Sequence, residues 1–185
     1  MQYILLLCCH IKDMRLNDSV VHCEFRVEQT ITMSAVTSFN PKGHPSLAPT
    51  YSHISFVRIG PSTKLIQISG QVGLDSTNAS SNPDFQSQVR HAFANLDKCL
   101  AAVGAGKSNI MHTRQYIVKM GGLSSEDFHA RSEIYIEWLK TKTGGVEGIG
   151  ERPPPAETLV GSDSQTEGCL FEVEALVVLS QAGDQ

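Results

Sequence analysis

The 185-residue chain is the length of one ordinary domain, and 41% hydrophobic with 18% charged residues marks it as globular rather than disordered. A formal net charge of −4, with no Lys/Arg run and no basic-aromatic stripe, excludes a footprint for nucleic acid. The five cysteines contain no Cys-x-x-Cys and the seven histidines no His-Glu-x-x-His, which gives neither a disulfide framework nor a metal site and fits a reducing compartment.

Residues 1–40 read as an N-terminal extension, disordered or the product of a misassigned start, because Met33-Ser-Ala-Val resembles a natural beginning. Within them, the apolar run Tyr3 to Ile11 is too short to span a bilayer and lacks preceding basic residues, so no membrane partner is expected. One domain is expected over residues 41–182. Asn40 to Pro49 is loop by its Pro and Gly content, and Ser55 to Ile59 and Leu65 to Val72 read as a hairpin turned at Gly60-Pro61-Ser62. Asp75 to Asn82 is turn-rich and holds the sequon Asn78-Ala-Ser, idle unless the chain is secreted.

Pro83 suits the first position of a helix capped by Ser81 or Asn82. Phe85, Val89, Phe93, Leu96, Leu100 and Val103 then recur every three or four residues, a stripe for packing on a sheet, with an inert Cys99 beside it. Ala101 to Ser108 loosely resembles a phosphate loop, but the helix comes before it and a strand, Ile110 to Met120, comes after. A phosphate loop needs the reverse order, so that a helix amino terminus faces the phosphates. Gly104 and Gly106 therefore read as C-caps, with Lys107 near the carbonyl end. Ser124 opens a second helix, with Asp127 in the capping-box position and a stripe of Phe128, Arg131, Ile134, Tyr135, Trp138 and Leu139. Thr141 to Gly150 reads as a flexible glycine-rich loop.

Pro153, Pro154 and Pro155 force an extended approach to a strand at Leu159-Val160, and a polar turn with Gly161 and Gly168 leads to a second strand from Cys169. In that strand Leu170, Glu172, Glu174 and Leu176 share one face, and Cys169, Phe171, Val173, Ala175 and Val177 the other. Two glutamates bordering so apolar a run mark a candidate site. The order of elements predicts an α+β, two-layer fold, a mixed sheet covered on one face by both helices.

Three segments, Ile68-Ser69-Gly70-Gln71, Pro155-Ala156-Glu157-Thr158 and Phe171-Glu172-Val173-Glu174-Ala175, resemble signatures of the Rid/YjgF family of reactive-intermediate imine deaminases, and the likeness extends over about Pro41 to Ser180. The resemblance implies a chorismate-mutase-like fold, a homotrimer with clefts between subunits, and cofactor-free hydrolysis of small imines or enamines to a carbonyl compound and ammonia. It also implies a cytoplasmic protein, with the mitochondrion as the alternative. Carried over residue by residue, it makes Glu172 the water-orienting catalytic group and Ser69 and Gly70 cleft contacts. Tyr51 becomes the aromatic that reaches across from a neighbouring subunit, and Ser132 stands where many members have Asn. At the position of the family's substrate-binding arginine this chain has Glu157, beside Thr158. Three resolutions follow: Arg152 in the same loop supplies a guanidinium, Glu157 faces solvent, or the substrate is neutral or cationic. The implied function is a hydrolase of altered substrate choice; the alternative is a non-catalytic binding or stabilising trimer of the same fold.

Overall fold

The computed structural model describes residues 35–44, 50–73, 84–165 and 168–180. They form six strands and two helices: β1 Thr37–Phe39, β2 Ile54–Arg58, β3 Thr63–Val72, α1 Phe85–Val103, β4 Ile110–Val118, α2 Ser125–Lys140, β5 Ala156–Ser162 and β6 Phe171–Ser180. One sheet holds the strands in the order β1-β2-β3-β6-β4-β5, with β4 and β5 parallel and every other pair antiparallel. The expected mixed sheet is therefore present. Its margins are β1, a three-residue strand that the sequence pattern did not signal, and β5, which follows the three prolines.

Alternation along β6 sorts the two faces. Phe171, Val173, Ala175 and Val177 are buried beneath the helices with Ile54, Ile66, Ile68 and Ile117, whereas Glu172, Glu174, Leu176 and Val178 point to the other side and are half-buried. The α1 stripe supplies Phe85, Val89, Phe93, Leu96 and Leu100 to this core, each side chain contributing about 1.5–3 kcal/mol by leaving water. Phe93 stacks on Trp138 of α2 with ring centroids 4.6 Å apart, which fastens the helices to each other above the sheet. Cys99 is fully buried, and burial pushes its thiol up to about 12, in keeping with an inert side chain.

The helix ends correct two expectations. The cap of α1 is Asp84, whose carboxylate accepts from the Ser87 N–H at 2.8 Å, so the helix starts two residues after Pro83; Ser81, Asn82, Pro83 and the Asn78 sequon lie outside the described residues. Gly104 is the C-cap as expected, in the left-handed region at φ 72°, where a glycine carries no Cβ penalty. Gly106, however, precedes a short 3₁₀ turn, Lys107–Asn109. Lys107 does not serve the carbonyl end of α1. Its side chain is 0% exposed and its Nζ donates to Trp138 O at 2.7 Å, Thr141 O at 2.9 Å and Thr143 Oγ1 at 2.6 Å, closing the end of α2 instead. Asp97 of α1, also buried, lies 3.6 Å from that ammonium and accepts from the Trp138 indole at 3.0 Å. The glycine-rich loop is tied down by the same region: Val146 and Ile149 are buried, and Ile149 N–H donates to Leu139 O at 2.8 Å.

At the amino end of α2 the expected cap forms, with the Asp127 N–H donating to Ser124 Oγ at 3.0 Å and that hydroxyl to the Asp127 carboxylate at 2.8 Å. Gly161 falls inside β5 rather than in the turn after it.

Candidate functional site

The β3 strand breaks register against β6. Ile68 pairs with Ala175 and Gln71 with Val173, so Ser69 and Gly70 together oppose Glu174 in a bulge. Glu172 lies across the next position, flanked by Val72 on one side and Tyr116 of β4 on the other. Its carboxylate covers Gly70: a Cβ built there would sit 1.5 Å from Glu172 Oε1. Only glycine leaves that room. Burial first, and then the charge of Glu174 two residues on, push the Glu172 carboxyl up from its ordinary value, while a hydrogen bond from Gln165 works the other way. Glu174 itself is held by Arg114 of β4 in an ion pair.

The other flank of the bulge is aromatic. His53, 3% exposed, opens β2; its carbonyl accepts from Ser69 N–H at 2.9 Å and from Ser69 Oγ at 3.2 Å. The buried Gln71 amide lies 3.2 Å from His53 Nδ1 and donates to Ser69 O at 2.8 Å. His44 stacks on His53 at 4.2 Å, and Tyr51 meets it edge-on at 5.4 Å, leaving Tyr51 36% exposed at the rim. Tyr51, Ser69, Gly70 and Glu172 thus belong to one locality.

Of the remaining expected site residues, Glu157 and Ser132 gather around Arg131, while Thr158 and Arg152 lie apart from them. Glu157 on β5 pairs with Thr113 of β4 and points to the helix-covered side. There its Oε1 accepts from the Gln115 amide at 2.6 Å and forms an ion pair with Arg131 of α2. Arg131 is buried; its Nε donates to Gln115 Oε1 at 2.8 Å, its Nη1 lies 3.4 Å from Ser132 Oγ, and its guanidinium is 5.4 Å from the Tyr135 ring centre. Burial lowers the guanidinium to about 10, so it stays charged at neutral pH. Ser132 also donates to Phe128 O at 3.3 Å. Thr158 faces the opposite side, its hydroxyl 3.0 Å from His112 Nε2. Arg152 is exposed in the turn closed by its N–H to Ile149 O at 3.3 Å. Because β4 separates β5 from β6, Glu157 and Glu172 stand about 10 Å apart across the sheet alone within one chain. Arg131, Gln115, His53 and His44 were not anticipated. The available signal for Arg131 was a charged residue standing in an otherwise apolar helix stripe.

Among the described residues, no group of three or more His, Cys, Asp or Glu side chains is arranged to hold a metal ion, and no helix is long and apolar enough to cross a membrane.

A sheet of this topology under two helices, with a glutamate folded over a glycine bulge, defines the class. The sequence pattern of the family described as endoribonuclease L-PSP matches residues 44–179, and the chain belongs to that family, which includes the Rid/YjgF proteins. It is similar to the RutC family protein YjgH of Escherichia coli (strain K12), at 36% identity over 99 residues, 54% of this chain and 72% of that protein. A solved structure of protein YJGH superposes with a TM-score of 0.60 at 28% identity, over 79% of this chain and 98% of that one. E. coli TdcF with bound serine shares the fold, with a TM-score of 0.61 at 19% identity over 78% of this chain and 100% of that one.

Proposed function

We propose that this chain is a Rid-type hydrolase that converts small reactive imines or enamines to the carbonyl compound and ammonia, with Glu172 as the catalytic base. The observation that carries the reading is the Glu172 carboxylate lying over Gly70, with its proton affinity raised by burial. A carboxylate tuned upward takes a proton from water more readily near neutral pH than an ordinary surface glutamate. In the reaction water attacks the protonated imine and Glu172 takes its first proton as the C–O bond forms and the C=N π bond opens; that proton passes to the nitrogen, and Glu172 then takes the carbinolamine hydroxyl proton as C=O forms and the C–N bond breaks, handing it to the departing ammonia as ammonium. Ser69 and Gly70 line the cleft; Tyr51, expected to reach across from a neighbouring subunit, packs on His53 beside Ser69 of its own chain and serves this cleft instead. Three copies complete the site, each Glu172 cleft meeting a neighbour's β5 edge, with Ser132 and Glu157 on its helix side, Thr158 on its other side and Arg152 in the turn before it. Family membership supports this assembly, as does an uncovered sheet face carrying Leu65, Leu176, Val178 and Val160. The protein works without cofactor on a small-molecule substrate, in the cytoplasm or the mitochondrion.

Glu157 favours a second reading. With a carboxylate in place of the family's arginine, the same trimer binds a small molecule without turning it over. Imines released by an amino-acid oxidase and by a flavin-dependent amine oxidase, trapped with semicarbazide, separate the two. A hydrolase lowers the semicarbazone yield, and Glu172→Gln restores it. If neither imine class is consumed faster with the protein than without it, the binding reading replaces the hydrolase.

A further inference from the structure

The pairing of Glu157 with Arg131 inverts what a ligand meets at the edge of β5. Arg131 is the nearest guanidinium to residue 157, yet it is 4% exposed and already engaged: Nε on Gln115, Nη2 on Glu157, Nη1 toward Ser132. A substrate carboxylate reaches it only by displacing Glu157. That would leave Glu157 without its cation while bringing two carboxylates together. The Gln115 amide reinforces the arrangement, because its oxygen accepts from Arg131 and its nitrogen donates to Glu157, so the three side chains form a closed circuit. The Gln115 hydrogen bond and the Arg131 ion pair both fall on Glu157 Oε1 and the side chain is 28% exposed, so Oε2 is the oxygen these two partners leave uncommitted.

We infer that Glu157, held by Arg131 and Gln115, is a specificity residue that selects substrates bearing an N–H donor, such as a carboxamide, where a 2-imino acid bears its carboxylate. The inference rests on the hydrolase reading of the Glu172 cleft and narrows its substrate class to carboxylate-free imines and 2-imino amides. An N–H group completes the acceptor at Oε2, whereas a carboxylate meets repulsion that nothing nearby offsets except Arg152, exposed in the preceding turn.

The test uses a matched pair of product analogues, 2-oxobutanamide and 2-oxobutanoate, titrated calorimetrically into the full-length protein. Wild type is expected to bind the amide about tenfold more tightly. Glu157→Gln should erase the preference, and the charge swap Arg131→Glu/Glu157→Arg, which preserves an ion pair, should reverse it. Circular dichroism establishes that each variant is folded, and Glu157→Gln alone decides the matter if the swap does not fold. Equal or tighter binding of 2-oxobutanoate to wild type overturns the inference; loss of that binding in Arg152→Ala would show that Arg152 has taken the arginine's place. A preference unchanged in Glu157→Gln, or no binding of either ligand, overturns it as well. Glu172-dependent hydrolysis in the trapping assay is read separately, so this inference can fail while the hydrolase stands.

Discussion

Glu172 occupies its place because residue 70 has no side chain. Gly70→Ala puts a methyl group 1.5 Å from the carboxylate oxygen, and the carboxylate, at the end of a flexible side chain, moves rather than the strand. Under the proposed mechanism imine hydrolysis falls about 100-fold, chiefly in kcat, with the fold retained by circular dichroism. A stability consequence follows from the same group. Its folded-state pKa is raised, so its contribution to stability is full below the ordinary glutamate value and is lost as pH rises through the folded value. Glu172→Gln removes that loss. Urea unfolding should show the variant gaining on wild type as pH rises above the ordinary glutamate range, and a gap that does not grow with pH would disprove the assignment. A catalytic carboxylate that weakens the protein which holds it is the ordinary cost of a tuned site.

At the scale of elements, Lys107 joins α1 to the end of α2. Lys107→Met leaves Asp97 as a buried charge without its cation and uncovers the Trp138 and Thr141 carbonyls, and should cost about 3–5 kcal/mol in denaturant unfolding. Adding Asp97→Asn should recover part of the loss, because the two residues are coupled. Much of this architecture was legible beforehand. The apolar spacing from Phe85 to Val103 marks α1, the alternation from Phe171 to Val177 sorts the faces of β6, and Ser124 with Asp127 places the start of α2. The partners of Lys107 were not legible, since capping a helix 31 residues further on depends on tertiary packing that no local pattern records. The same holds for Glu157, whose counter-ion Arg131 lies on α2, far from β5 in the sequence. The β1 strand escaped because three residues carry no periodicity.

For the molecule as a whole, the sheet face opposite the helices is the unfinished part. Leu65, Tyr116, Val160, Leu176 and Val178 are half-buried there around the Arg114–Glu174 ion pair, a mixture suited to contact with further copies. Light scattering at micromolar concentration should return three chain masses, and Leu176→Lys should yield monomers that lose imine hydrolysis while keeping their circular dichroism spectrum. A monomeric wild type would refute the trimer and with it the meeting of each Glu172 cleft with a neighbour's β5 edge. The margins of the sheet point the same way. A three-residue β1 offers a foreign strand very few backbone groups to zip onto, and the three prolines ahead of β5 stop any strand added there from running past its seven residues. With short margins, the proposed face-to-face contact outcompetes edge-to-edge growth, which would keep so apolar a β6 inside closed assemblies rather than fibres.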